Sequence, residues 1–300
     1  MTRTSKWVFG IISVLLILFV VVVFSFMYYL FSGDENEEVA TGSNGTIALI
    51  ELKEPIESSE NTVRLFKKYR ENSSVKAIVF RVESPGGGVA ASQEIYEEVR
   101  KTRDGGKPVV VSMGSVAASG GYYVSCGASK IVANPGTVTG SIGVISQFVH
   151  ITGLMDKIGI SSTTIKSGKL KDAGSPMRQP TEEDKKYFQE MIDDVYGQFV
   201  GVVASERKLD LEVVKKLADG RVYTGKKAFE LGLIDTLGTY EDAIALAGRL
   251  AGIKGTPTTI REKKKERLSD MLFGSVKNEI TGLKNELVKQ PLLQYSLTQP

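Results

Sequence analysis

Six short runs of apolar and β-branched residues constrain this chain more than any other feature: Ile47 to Leu52, Ala77 to Val82, Val109 to Ser112, Ile131 to Ala133, Val138 to Val144 and Thr163 to Ile165. Each has strand length. Helical patterns lie between several of them, notably Ser92 to Thr102, where Ile95 and Val99 share a face and Glu94, Glu97, Glu98, Arg100 and Lys101 supply charge. Strands alternating with helices predict parallel pairing through right-handed crossovers, hence an α/β core. A chain of 300 residues, 42% hydrophobic and 24% charged, can bury such a core, and disorder is not its default.

Beyond Pro180 the pattern turns helical. Thr181 followed by Glu182, Glu183 and Asp184 predicts a capped helix running to about Glu206, with further helices over 211–218, 225–231 and 240–251. Gly232 to Asp235 reads as a short strand or turn. In the 261–300 tail, Leu268, Leu272, Val276, Ile280, Leu283 and Leu287 follow one another at three or four residues, which predicts an amphipathic helix or two before a polar terminus. No internal repeat is visible, so one copy of the domain is expected.

The N-terminus carries no charge from Trp7 to Gly33, longer than the ~20 residues that cross a bilayer. Residues 1–33 are therefore expected to form a short cytoplasmic tail and a transmembrane helix. A cleavable signal peptide is the alternative. Its apolar region would be about 7 to 15 residues and would end at a small-x-small site, whereas Ala40-Thr-Gly42 lies well past this run. Arg3 and Lys6 precede the run and Asp34, Glu35, Glu37 and Glu38 follow it, which keeps the N-terminus in the cytoplasm and puts the remainder on the extracellular side of the cell membrane. Residues 34–45 read as a linker, and the folded domain is expected over 46–260.

Some chemistries are excluded early. Net charge is only +3, and the basic cluster from Arg261 to Arg267 is interleaved with glutamates, so nucleic-acid binding has no support. With Cys126 as the single cysteine, neither an intrachain disulfide nor a cysteine metal cluster can form. The phosphate-loop pattern is also absent.

Two glycine-rich stretches follow strand ends, where open α/β sheets bind ligands. One is Glu83-Ser-Pro-Gly-Gly-Gly88, whose Gly86 and Gly87 amides could meet an anion or oxyanion; the alternative is a plain turn. The other is Gly114-Ser-Val-Ala-Ala-Ser119-Gly-Gly, in which Ser119 sits among small residues at a predicted helix start, beside the free amide of Gly120. From this stretch alone Ser119 reads more readily as an ordinary N-cap than as a nucleophile, and a nucleophile needs a base. His150, the one histidine, lies in an apolar context that fits a packed side chain. The remaining candidates are Lys166, Lys169 and Lys171, in a glycine-containing loop where the alternative is a solvated charge run. A lysine base must be neutral, against a pKa of about 10.4, so it requires a dry site without a close carboxylate.

Five ordered segments then resemble the signal peptide peptidase A family of Ser/Lys membrane proteases in its short, single-copy form. They are Ser84-Pro-Gly-Gly-Gly88, Met113 to Tyr123, Thr139-Gly-Ser-Ile-Gly143, Lys166 to Ala173 and Gly220 to Asp235. The resemblance covers about 46–250 and the anchor. It implies a ClpP/crotonase-like fold of repeated ββα units and a serine endopeptidase that cleaves remnant signal peptides and other short or unfolded membrane-associated peptides. It further implies Ser119 as nucleophile, Lys171 as base, Ser141 as the serine that hydrogen-bonds the base, and backbone N–H groups of Gly86, Gly87 and Gly120 as oxyanion donors. No metal or cofactor is implied. The single-copy form implies a homo-oligomer, an octamer by resemblance, whose subunits share active sites.

Two other readings keep the fold and change the function: a catalytically silent membrane-anchored scaffold, and a crotonase-like acyl-CoA enzyme. The presence of both Ser119 and Lys171 weighs against the first, and an outward-facing domain without an obvious supply of coenzyme A weighs against the second. The 261–300 tail could also reach back into the cleft and regulate it.

Overall fold

The computed structural model describes residues 3–31, 37–39, 45–262 and 293–297. Helix α1 (Arg3–Phe31) and the α/β body with its C-terminal strand fall into separate units. In α1 the described side chains, Trp7 and those of residues 12–25, are all exposed. Among the described residues no helix is long and apolar enough to cross a membrane; of the expected span, residues 32–33 and the side chains of residues 8–11 and 26–31 lie outside the description, as do residues 263–292 of the expected amphipathic tail.

The elements that follow are β1 (Glu37–Val39), β2 (Thr46–Lys53), α2 (Glu60–Glu71), β3 (Val75–Ser84), β4 (Gly86–Gly88), α3 (Val89–Asp104), β5 (Val109–Ala118), α4 (Gly120–Cys126), β6 (Lys130–Ala133) and β7 (Val138–Gly140). Next come α5 (Thr152–Ile158), a single 3₁₀ turn (Lys169–Asp172), α6 (Glu182–Arg207), α7 (Leu211–Leu217), β8 (Val222–Thr224), α8 (Gly225–Glu230), β9 (Thr236–Leu237), α9 (Tyr240–Leu250), β10 (Thr258–Glu262) and β11 (Gln294–Ser296).

The expected α/β core is present. Its central strands run β2-β3-β5-β6-β9, and every pairing among them is parallel. Because side chains alternate along a strand, each strand feeds two apolar layers. Ile78, Phe80 and Val82 of β3 enter the larger core beneath α2, α3, α4 and α6, whereas Ala77 and Val79 face Ala243, Ile244 and Ala247 of α9. Of the expected strands, Thr163 to Ile165 is not one: it pairs with no strand among the described residues, and Ile165 is 97% exposed. β-Branching favours a strand only where a neighbouring strand and a face to bury are available, and neither exists there.

Strand β5 carries the feature that matters for function. Its first half pairs with β6 through Val110 to Ser112, and its second half pairs with β7 through Val116 to Ala118. The handover coincides with a register shift against β3, where the Glu83 carboxylate accepts hydrogen bonds from the Ser115 and Val116 amides at 2.9 and 3.1 Å. A Cβ on Gly114 would lie 1.7 Å from that carboxylate, so a side chain there would push the Glu83 carboxylate away from these amides. The strand then delivers Ser119 to the carboxyl edge of the sheet.

Candidate active site

Ser119 follows the last residue of β5 and caps α4, with φ 52° and ψ −115°. Few non-glycine residues adopt this backbone, and its presence at a strand-to-helix turn is the geometry by which hydrolases project a serine. The turn is held on both sides: the Ser119 amide donates to the Gly140 carbonyl at 2.7 Å, and the Tyr123 amide donates to the Ser119 carbonyl at 2.8 Å. Its Oγ is buried and has no hydrogen-bond partner. A buried hydroxyl without a partner costs about 1–3 kcal/mol, so this site does not maximise stability.

Ser141 stands beside it for a simple reason of register. Ala118 pairs with Gly140 across parallel β5 and β7, and Ser119 and Ser141 are the residues that follow each. Ser141 too has positive φ, 49°, and its amide is tied to the Arg221 carbonyl at 2.9 Å.

The glycine strand β4 packs against the head of α4 with no room for side chains. A Cβ on Gly86 would come 2.0 Å from the Tyr295 carbonyl oxygen and 2.7 Å from the Gly120 nitrogen, and one on Gly120 would come 2.7 Å from Ser92 Oγ. Gly86 has φ +104° and Gly87 φ +158°. Gly86, Gly87 and Gly120 are therefore brought together. The Gly86 amide donates to Ser84 Oγ at 3.2 Å, so it already has one acceptor, while Gly120 opens α4, where the first amides have no partner within the helix.

A segment from the far end of the chain covers these glycines. Strand β11 pairs antiparallel with β4, Gln294 opposite Gly88, Tyr295 opposite Gly87 and Ser296 opposite Gly86. The Tyr295 ring is fully buried between Tyr123, at 5.0 Å, and Phe199, at 4.7 Å. Such an added strand is the mode in which extended peptides bind sheet edges. Sequence reasoning allowed for a tail in the cleft but had no signal for the register.

The three lysines differ in their partners. Lys166 pairs with Asp172, and Lys169 lies 3.9 Å from Glu183. Lys171, on the exposed turn, makes no ion pair among the described residues. It does not reach Ser119 within one chain, since the Ser119 hydroxyl is unpartnered. His150 does not reach it either; its Nδ1 is buried and also unpartnered. Cys126 is no rival nucleophile, because burial pushes its thiol up to about 12.

The Lys171 turn is fastened by a group the sequence did not single out. Arg178 donates to Asp172 at 2.8 Å and to both oxygens of Asp184, one at 3.0 Å. Asp184 is in turn the reciprocal partner of Thr181 in the capping box of α6, accepting from the Thr181 amide at 2.8 Å. Hydrogen bonds from Arg178, then from Lys166, hold the Asp172 carboxyl down at about 2, and Arg178 holds that of Asp184 well below the usual range.

Comparison with known proteins places these residues in a family. The model of peptidase family S49 matches residues 101–254. A protein of Enterococcus faecium with the provisional name signal peptide peptidase SppA is 41% identical over 223 residues, 74% of this chain and 60% of that protein. A Synechocystis protein provisionally named protease slr0021 is 45% identical over 71% of this chain and 77% of its own length. Protease 4 of Salmonella typhi is 35% identical over 282 residues, 88% of this chain and 45% of that protein. The chain thus spans about three fifths of the Enterococcus relative and less than half of the Salmonella one.

Proposed function

The chain belongs to peptidase family S49, and from that premise we propose that it is a membrane-anchored serine endopeptidase, with Ser119 as nucleophile and Lys171 of a neighbouring subunit as general base. The observation that carries this reading is the Ser119 hydroxyl itself: buried, without a partner, on a strained turn at the head of a helix, next to three crowded glycines. A neutral Lys171 amine takes the hydroxyl proton as Oγ attacks a peptide carbonyl, and then gives it to the leaving amine. Amides of Gly120 and of Gly86 or Gly87 receive the oxyanion; losing one such donor typically lowers kcat about 10²–10³-fold. Ser141, one strand over, orients the amine.

The base comes from a second copy because, among the described residues of one chain, none meets the Ser119 hydroxyl. In support, large apolar side chains are exposed along the same segment that carries Lys171: Val149 at 74%, then Leu154, Ile158, Ile160 and Ile165. A clustered apolar surface of this kind marks an interface. A ring of such contacts, an octamer by family resemblance, would give each Ser119 an amine and dry it. The arrangement is of the ClpP/crotonase type, and its substrates are remnant signal peptides and other extended, membrane-associated peptides laid on β4 as β11 is. The uncharged run in α1 would hold the enzyme at the cell membrane, with the catalytic body outside.

The test is hydrolysis of a fluorogenic peptide by the parent, by Ser119→Ala, by Lys171→Ala and by co-assembled mixtures of the two variants. Each variant alone is expected to be inactive and the mixture to regain part of the parent rate. Hydrolysis at the parent rate by both single variants overturns the dyad; inactive mixtures overturn the shared site.

A further inference from the structure

We propose that Arg178 is the positioning residue of the general base: it fixes the Lys171 turn to the start of α6 and occupies Asp172, the carboxylate next to Lys171. The inference rests on the dyad reading above and adds to it a residue with no other assigned role.

Three observations carry it. First, the geometry is a two-ended clamp. Nη1 and Nη2 of the planar guanidinium hold the two oxygens of Asp184 on α6, and Nη2 also donates to Asp172, the residue next to Lys171. Planar bidentate donors define direction as well as distance, which an ammonium does not. Second, the anchor is rigid. The Asp184 side chain is 2% exposed and is locked by Thr181, so Arg178 ties a surface turn to a capped helix of 26 residues. Beyond this clamp the turn is one 3₁₀ turn with no buried residue, closed by backbone bonds such as Lys171 N–H to the Gly168 carbonyl at 3.2 Å and by the exposed Lys166, which donates to Asp172 and to the Lys169 carbonyl.

Third, the charges sort themselves. The titratable and charged groups around the turn are Lys166, Lys169 and Asp172 on the loop, Arg178 beyond it, Glu183 and Asp184 on α6, and His150 on the segment whose Ile151 amide bonds the Pro176 carbonyl at 2.9 Å. Asp172 is shared by Arg178 and Lys166, Asp184 belongs to Arg178, and Glu183 faces Lys169. Lys171 alone is left without an anion, which is what a lysine that must lose its proton needs. Without Arg178, Asp172 would keep only the exposed Lys166 as partner and gain freedom to turn to its neighbour and keep that amine charged.

The experiment uses the full-length assembled protein. Peptidase kcat and KM are measured across pH 6 to 11 for the parent, Arg178→Ala, Arg178→Lys and Lys171→Ala, with assembly and thermal unfolding followed in parallel. Arg178→Ala is expected to lower kcat about 100-fold with KM little changed, and to move the acid limb of the pH–rate profile upward by about one unit as the amine holds its proton more tightly. Arg178→Lys, able to hold only one carboxylate well, is expected to restore part of kcat and part of the shift. A loss of rate that merely follows loss of folded oligomer, with the acid limb unmoved, overturns the proposal, as does an unchanged kcat. Should Lys171→Ala remain active, the dyad itself fails and this inference with it. Should Lys171→Ala be inactive while Arg178→Ala keeps the parent profile, only the inference about Arg178 fails.

Discussion

Gly86→Ala separates the geometry of the proposed oxyanion site from ordinary backbone strain. The position has φ +104°, and holding a side chain in that region costs about 1–3 kcal/mol. In a body of this size each kcal/mol lowers Tm by about 2–4 °C, so strain alone predicts a fall of roughly 2–12 °C. The collision is a separate effect. The new Cβ would stand 2.0 Å from the Tyr295 carbonyl oxygen and 2.7 Å from the Gly120 nitrogen, so β11 must leave and the space in front of the Gly120 amide is filled. An oxyanion can no longer reach that donor, and kcat should drop by about 10²–10³-fold. Gly106→Ala is the matched control: φ is +88°, yet nothing lies within 4 Å of the added carbon. It should show comparable thermal destabilisation and full activity. The assay is fluorogenic peptide turnover together with thermal unfolding of both variants. If the kcat of Gly86→Ala stays within about threefold of that of Gly106→Ala, the glycine cluster is not where the oxyanion is received.

Ending the chain after residue 292 removes β11 and the buried Tyr295 ring. kcat/KM should rise as β4 is uncovered while Tm falls, and an unchanged kcat/KM would show that β11 does not stand in the substrate's place. Asp172, held at about 2 by Arg178 and Lys166, has a folded pKa below its unfolded one, so its contribution is present above about pH 4 and vanishes as pH falls through about 2. The urea midpoints of the parent and Asp172→Asn should therefore differ at pH 5 and converge toward pH 2; a gap that stays constant over that range refutes the sign. Lys107→Met removes three bonds, of 2.6, 2.9 and 2.8 Å, to the Tyr69, Arg70 and Asn72 carbonyls at the end of α2. It should cost about 1–2 kcal/mol of stability, read by urea unfolding, and leave peptidase activity intact.

What could be read from the chain was whatever repeats locally. The parallel strands around Ile47, Ala77 and Val109 and the helix opened by Thr181 announce themselves by period and cap, and α6 runs from Glu182 to Arg207 as the capping signal implied. Helix α2 went unread although Leu65, Phe66 and Tyr69 are spaced along one buried face, because the short polar segment around them carries no cap bond. Strands β4 and β11, three residues each, have no local signature; they pair with each other across more than two hundred residues of sequence, with single bridges to Ile56 and Ile145 beside them. At the site, small residues around Ser119 hinted at a tight turn, but the adjacency of Ser141 follows from the register of β5 on β7 and cannot be counted off from spacing. Arg178 was invisible for a related reason: its importance lies in two carboxylates that only the folded loop brings to it.

The backbone at residue 119 has one last implication. With φ at 52° and ψ at −115°, it is a conformation in which only glycine rests comfortably, and the hydroxyl it carries finds nothing to bond. Selection for durability alone would erase this serine. With Ser119 as the proposed nucleophile, a glycine there should give an inactive protein that outlasts its parent in heat, so long survival on warming can serve as a screen for inert, peptide-trapping forms.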